Sequence, residues 1–145
     1  MRPMTLDDAI EALQCEADDM AIHRFGETVV ALWRDPPHAG RLDAPSASAT
    51  TCGGCGDTIT IDLGIAKGVV TRAGFWTDGC GASVACAAMA CSLAVGRSVE
   101  EAASLHGEHV LQCLGGLPPD NRHCAFLAAE ALRETVHAFM TAQGR

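Results

Sequence analysis

Apolar residues recur at helical spacing from the start of the chain. Leu6, Ile10 and Leu13 follow Thr5, which with Asp8 has the spacing of a capping box. A second helical stretch runs from Phe25 to Arg34 and stops before Pro36-Pro37, which cannot continue it. Residues 38–54 are rich in Ala, Ser, Thr, Gly and Pro, and read as a long mobile connection with room for a short strand. Thr58-Ile59-Thr60-Ile61-Asp62-Leu63 then alternates polar and apolar, as a half-buried strand does. Gly64 to Gly68 reads as a turn, and Val69 to Thr77 as the next strand. Strands joined this tightly pair antiparallel.

After Asp78-Gly79 the period changes. Gly81 to Val95 is helical with small apolar residues on nearly every face, the pattern of a buried helix ended by Gly96. Ser98 is placed to cap a short helix through Val99, Glu100 and Glu101. Glu108 to Leu114 is a further helical segment, stopped by Gly115-Gly116. Leu117-Pro118-Pro119-Asp120 reads as a rigid turn with Asp120 as N-cap to a last helix, about 121–140. Cys124, Leu127, Ala131, Val136 and Phe139 lie near one face of it. The order predicts an α+β fold, a small antiparallel sheet of about three strands packed against several helices. Residues 1–145 read as a single domain with no internal repeat, in which 1–24 form an N-terminal helical extension.

Composition narrows the function. With 48% hydrophobic and 19% charged residues, the 145-residue chain can build a core and is not a disordered one. Its longest apolar stretch, Ala82 to Val95, is mostly Ala and Cys and too weakly hydrophobic to span a membrane. A net charge of −8 argues against nucleic acid. The start, Met1-Arg2-Pro3-Met4-Thr5-Leu6-Asp7-Asp8, turns acidic where an export signal needs its apolar core, so a cytoplasmic protein is expected. Eight cysteines in a reducing compartment point to metal binding, reactive thiols or plain buried thiols rather than disulfides.

Three of those cysteines stand where an element begins. Cys55 precedes a strand in Cys55-Gly56-Asp57, Cys80 leads into the buried helix in Gly79-Cys80-Gly81, and Cys124 follows His123 at the start of the last helix. Flanking glycines would let the backbone approach a bulky ligand. A helix N-terminus would lower a thiol's pKa and favour the thiolate, the form that binds metal and attacks sulfur. Cys86 and Cys91 sit inside the buried helix and read as small hydrophobes, as do Cys15 and Cys113 in their helices. Cys52 completes a C-x-x-C motif with Cys55 that is either redox-active or half of a metal site. The residues alone lead to a metal or sulfur site of three or four thiolates, or else to eight incidental thiols.

Taken together, the three neighbourhoods resemble the IscU/NifU N-terminal family of iron–sulfur cluster assembly scaffolds. That family carries a C-G-D element before a strand, a G-C-G element before a helix of small residues, and an H-C element opening the last helix. Here the order matches, with 25 residues from Cys55 to Cys80 and 44 from Cys80 to Cys124. Asp35-Pro36-Pro37-His38-Ala39-Gly40-Arg41-Leu42-Asp43 and Gly96-Arg97-Ser98-Val99-Glu100-Glu101-Ala102 are further echoes, so the resemblance covers about residues 25–140.

The resemblance implies a carrier rather than an enzyme. A cysteine desulfurase would pass persulfide sulfur to Cys124, and with iron a transient [2Fe–2S] cluster would form on Cys55, Cys80 and Cys124. Asp57 or His123 would be the fourth ligand, Cys52 an extra thiolate or a bystander, and apo iron–sulfur proteins the acceptors. The family's aspartate is linked to easy release of the cluster. Leu117-Pro118-Pro119 matches the start of an element read by an Hsp70-type chaperone, but Asp120-Asn121 replaces its Val-Lys and argues against that docking. The N-terminal helix has no family counterpart and would cover the site, form a dimer contact, or do neither. Three rivals remain: a SufU-type relay holding Zn2+ on the same ligands, a dithiol oxidoreductase using Cys52 and Cys55, and a regulator that binds the desulfurase without carrying a cluster. SufU-type relatives carry an insertion between the second and third cysteines, for which the Cys80–Cys124 separation leaves no room.

Overall fold

The computed structural model describes residues 3–54 and 56–143, with the main chain alone for Cys15 and Asp18. Cys55 lies outside the described residues. The chain runs α1 (Leu6–Phe25), α2 (Glu27–Arg34), β1 (Ala47–Cys52), β2 (Thr58–Ala66), β3 (Val69–Thr77), α3 (Gly81–Ala94), α4 (Val99–Ala103), α5 (Gly107–Leu114) and α6 (Arg122–Gln143). The three strands form one antiparallel sheet in the order β1-β2-β3, and α3 and α6 pack against it, which is the α+β arrangement expected.

Several boundaries differ from the sequence reading, each for a local reason. Phe25 closes α1 rather than opening α2, because Gly26 at φ 89° breaks the helix between them. The capping box at α1 forms as expected, Thr5 and Asp8 exchanging hydrogen bonds of 3.0 and 3.1 Å. Strand β2 continues through a bulge at Gly64/Ile65 to Ala66, so the turn shrinks to Lys67 (φ 54°) and Gly68 (φ 74°). Two successive positive φ angles make the tight turn that suits a two-residue hairpin. Asp120 sits inside a 3-10 turn, Pro119–Asn121, that runs directly into α6, and so does not stand before the helix as its cap.

The stretch 38–54 is a strap and an edge strand rather than a mobile connection. Its first part runs along the outer edge of β3, where the Gly40 N–H donates to Phe75 O (2.9 Å) and the Phe75 N–H to His38 O (3.1 Å). It then crosses the outer face of the sheet over Gly74, where a Cβ would come within 2.5 Å of Gly40 O. Strand β2 is buried on both faces and not half-buried, and at Asp62 the strap supplies the cover. Ile59, Ile61 and Leu63 fill the core on one side, while Thr60 and Asp62 are covered on the other.

A carboxylate buried like that needs partners. Asp62 accepts from Arg41 Nε (2.7 Å) and Nη2 (3.1 Å), from Ser48 Oγ (2.5 Å) and from the Leu42 N–H (3.0 Å). Burial alone pushes its pKa up, but these hydrogen bonds and the Arg41 charge outweigh it and hold the carboxyl below its usual range. The strap is thereby pinned across the sheet.

Helix α3 has no polar face. Ala82, Ser83, Ala85, Cys86, Ala87, Ala88, Ala90, Cys91 and Ala94 are all buried. Small side chains let it run close beneath the sheet, and α6 packs beside it with Ala125, Ala128, Ala129 and Leu132 fully enclosed. Two helices packed tightly by small residues fix the positions of their N-terminal ends, which matters for the residues there.

Candidate metal and sulfur site

The short connection from β1 to β2 (53–57) and the starts of α3 and α6 converge at one end of the sheet. The connection is held by the Gly53 N–H donating to Asp57 O (2.8 Å) and the Gly56 N–H to Gly53 O (3.1 Å), with Gly56 at φ 93°. Asp78 ties it to the end of β3, its Oδ1 accepting from the Thr58 N–H at 2.8 Å. Asp57, His123 and Cys124 are thus brought together, one donor atom of each within 4.8 Å of the others. Cys124 Sγ lies 3.7 Å from His123 Nε2.

Ser83 stands at the centre of this group. Its side chain is fully buried, and its Oγ lies 3.3 Å from Asp57 Oδ2, 3.4 Å from Cys124 Sγ and 3.9 Å from Cys80 Sγ. The sequence reading assigned Ser83 no role. Its spacing from Cys80 was the available signal, since residues three apart in the first turn of a helix share a face. Trp33 was missed as well. Its ring lies where a Cβ on Gly81 would have to go, at 2.5 Å, and Phe25 braces it edge-on with centroids 5.2 Å apart.

Two expectations about the site are overturned. The glycines beside Cys80 do not open space for a ligand. A Cβ at Gly79 would strike Ser83 Oγ at 2.5 Å, and one at Gly81 would strike Trp33, so both glycines serve close packing of the chain on itself. The Cys124 thiol is also not favoured as thiolate. Burial pushes its pKa up, a hydrogen bond from Ser83 partly opposes this, and the negative charges of Cys80 and Asp57 push it further, to about 11. Cys80 caps the start of α3 and is exposed, whereas Cys124 is 1% exposed.

The remaining cysteines divide. Cys86 and Cys91 are fully buried, as expected, and burial raises both thiols, that of Cys91 to about 12. Cys113 is exposed on α5, contrary to its reading as a buried thiol, because Leu111 and Leu114 take the inner face of that helix. Cys52 is exposed at the end of β1, paired across the sheet with Thr58, whose hydroxyl lies 3.5 Å from its sulfur. It is not an untied thiol in a mobile loop, and it is not among the three side chains brought together. The side chain of Cys15 is not among those described.

The donor set is coherent chemistry. A soft thiol, an imidazole and a carboxylate within one cluster, with a second thiol at its edge, suit iron in a sulfur-rich setting or zinc. Among the described residues, no helix is long and apolar enough to cross a membrane.

Comparison with known proteins bears on the family and the fold. The family model described as the NifU-like N terminal domain matches residues 24–145. An iron–sulfur cluster assembly scaffold protein, IscU 1 of Archaeoglobus fulgidus, is 31% identical over 122 residues, spanning 83% of this chain and 80% of that protein. The N-terminal NifU-like protein of Brucella abortus superposes with a TM-score of 0.65 at 20% identity, over 84% of this chain and 98% of its own. A candidate scaffold of the SUF system from Fervidobacterium islandicum superposes at 0.66 with 15% identity, over 80% and 98%, and these two likenesses bear on the fold alone. The extent of the family match and the identity to an IscU protein place the chain in the NifU-like N-terminal domain family.

Proposed function

We propose that the chain is a scaffold on which an iron–sulfur cluster is assembled and from which it is handed to other proteins. The observation that carries this reading is the convergence of Asp57, His123 and Cys124, with Cys80 at the edge, in a member of this family. In this reading the cluster is cargo. Cys124 receives sulfur from a cysteine desulfurase, and a [2Fe–2S] unit forms on Cys55, Cys80 and Cys124 with Asp57 or His123 as the fourth ligand. Thiolates supply the soft donors that iron in a cluster prefers. A single oxygen or nitrogen donor makes the fourth position weaker, as a carrier that must release its cargo requires. Apo iron–sulfur proteins are the acceptors.

A second reading is supported by the same donor set, because a thiolate, an imidazole and a carboxylate also suit a tetrahedral zinc ion. The protein would then relay persulfide sulfur on Cys124 without building a cluster.

Anaerobic reconstitution with iron, cysteine and a desulfurase, followed by absorption, metal and sulfide analysis, separates the two. A labile two-iron cluster that passes to an apo-ferredoxin supports the scaffold. Tightly held zinc, with faster desulfurase turnover and no cluster, supports the relay and refutes the scaffold. Cys124→Ser is expected to lose persulfide by mass spectrometry, and undiminished persulfide on that variant refutes the role given to Cys124.

A further inference from the structure

Helix α1 lies almost wholly before the region that the family model matches, and its neighbour in the fold is α2. On one side of it Asp8 and Ile22 are partly buried, as are Ala9 and Ala21 nearer the other side, while the remaining described side chains from Leu6 to Met20 are exposed. On the opposite side Leu6, Ile10, Leu13, Ala17 and Met20 follow one another at intervals of four, three, four and three residues. Leu6, Leu13 and Met20 are 78%, 66% and 73% exposed and Ile10 is 45% exposed. An interval averaging three and a half residues sets one narrow stripe along the helix, the spacing with which two helices pack seam to seam.

We propose that α1 pairs with α1 of a second copy of this chain, as a short parallel two-stranded coiled coil. Residue choice points to that occupant. Ile10 takes the first apolar position of the heptad and Leu6 and Leu13 the second, the combination that favours two parallel strands. The flanks fit a copy as well. In a parallel pair Ala9 meets Gln14 and Glu16 meets Ala21, so no like charges face each other. Arg24, next in the stripe, is drawn aside, its guanidinium 5.3 Å from the centre of the Phe25 ring. An anionic lipid surface suits the helix poorly, since Asp7, Asp8, Glu11, Glu16 and Asp19 are all acidic.

Sedimentation equilibrium of the full chain in reductant, across a wide range of concentration, tests this. The expected result is a reversible rise in mass from 15.1 kDa toward twice that value. Ile10→Asp is expected to weaken the association by about 100-fold or more, because it places a carboxylate in the apolar stripe. Ile10→Asn is expected to keep a weaker dimer, because in a parallel pair the two asparagines face and bond each other. Both substitutions lie on an exposed stripe, and an unchanged thermal melt of the body confirms that folding is intact. A chain that stays monomeric at every concentration overturns the proposal, and so does a dimer indifferent to Ile10→Asp. Loss of the dimer in Ile10→Asn as complete as in Ile10→Asp overturns the parallel arrangement. A monomer that binds phosphatidylcholine vesicles through the same residues makes the stripe a lipid contact instead.

Discussion

Gly79→Ala tests whether the site is held by close packing. Gly79 does not use the left-handed backbone region that side chains avoid, so an alanine can keep its main chain in place. The added Cβ would nevertheless lie 2.5 Å from Ser83 Oγ and 2.6 Å from Ser83 Cβ, with Asp57 Cγ at 3.2 Å. Ser83 is fully buried and cannot swing away. Overpacking of this kind costs about 1–3 kcal/mol. The smaller freedom of the unfolded alanine chain offsets about 0.4–1 kcal/mol of it, so near the middle of both ranges the clash wins by about 1–2 kcal/mol. For a chain near this size that is a fall in Tm of about 2–8 °C, read by calorimetry. Ser83→Gly removes both of the shortest contacts, and in that background Gly79→Ala is expected to be neutral or stabilising. The double-mutant cycle should therefore return a coupling of about 1–3 kcal/mol. Melting of Gly79→Ala at or above the wild-type temperature refutes the reasoning, and so does an equal loss in both backgrounds.

Asp62, whose carboxyl is held below its usual range, contributes stability that is present above the unfolded pKa of about 3.9 and is lost as pH falls through the lower folded value. Urea midpoints followed from about pH 5 to about pH 2 should decline more steeply for the wild type than for Asp62→Asn; equal slopes would remove Asp62 as a source of the acid sensitivity. Thiol alkylation near about pH 8, followed by peptide mass spectrometry, should mark the exposed Cys52, Cys80 and Cys113 ahead of the buried Cys86, Cys91 and Cys124. Cys86 and Cys91, both fully buried, should react at the rate of unfolding, and early labelling of either would show that α3 opens locally.

Local signals served the sequence reading well where one element decided its own fate. The hairpin strand Val69–Thr77, the Ser98 and Thr5 capping boxes and the all-apolar α3 each announce themselves within a few residues. The strap was not legible, because its order comes from Asp62, twenty-one residues beyond Arg41, and from an edge of β3 that does not exist until the sheet forms. Burial of Asp62 was hidden for the same reason. At the site, position along the elements singled out Cys124, and the family resemblance added Asp57 and His123; the fold does bring the three together. Neither singled out Ser83 and Trp33, whose positions depend on how α2, α3 and α6 meet.

The protonation of Cys124 shows why position along a helix is an incomplete guide to chemistry. A charge in the first turn of an exposed helix gains about 0.3–1 kcal/mol from the helix dipole, less than the roughly 1.4 kcal/mol that a tenfold change in proton affinity takes. Burial acts the other way and is the larger influence here, since Cys124, a residue only 1% exposed, has exchanged water for protein around it. Ser83 supplies one hydrogen bond that moderates the rise, but Asp57 and Cys80 add negative charge at short range. The net is a thiol raised to about 11, although it occupies the end of a helix that favours the anion. His123 beside it stays exposed, and so does Cys80 at the start of α3. The cap of one helix and the first turn of another thus give one thiol open to solvent and one withdrawn from it, and the difference arises from packing between helices distant in sequence.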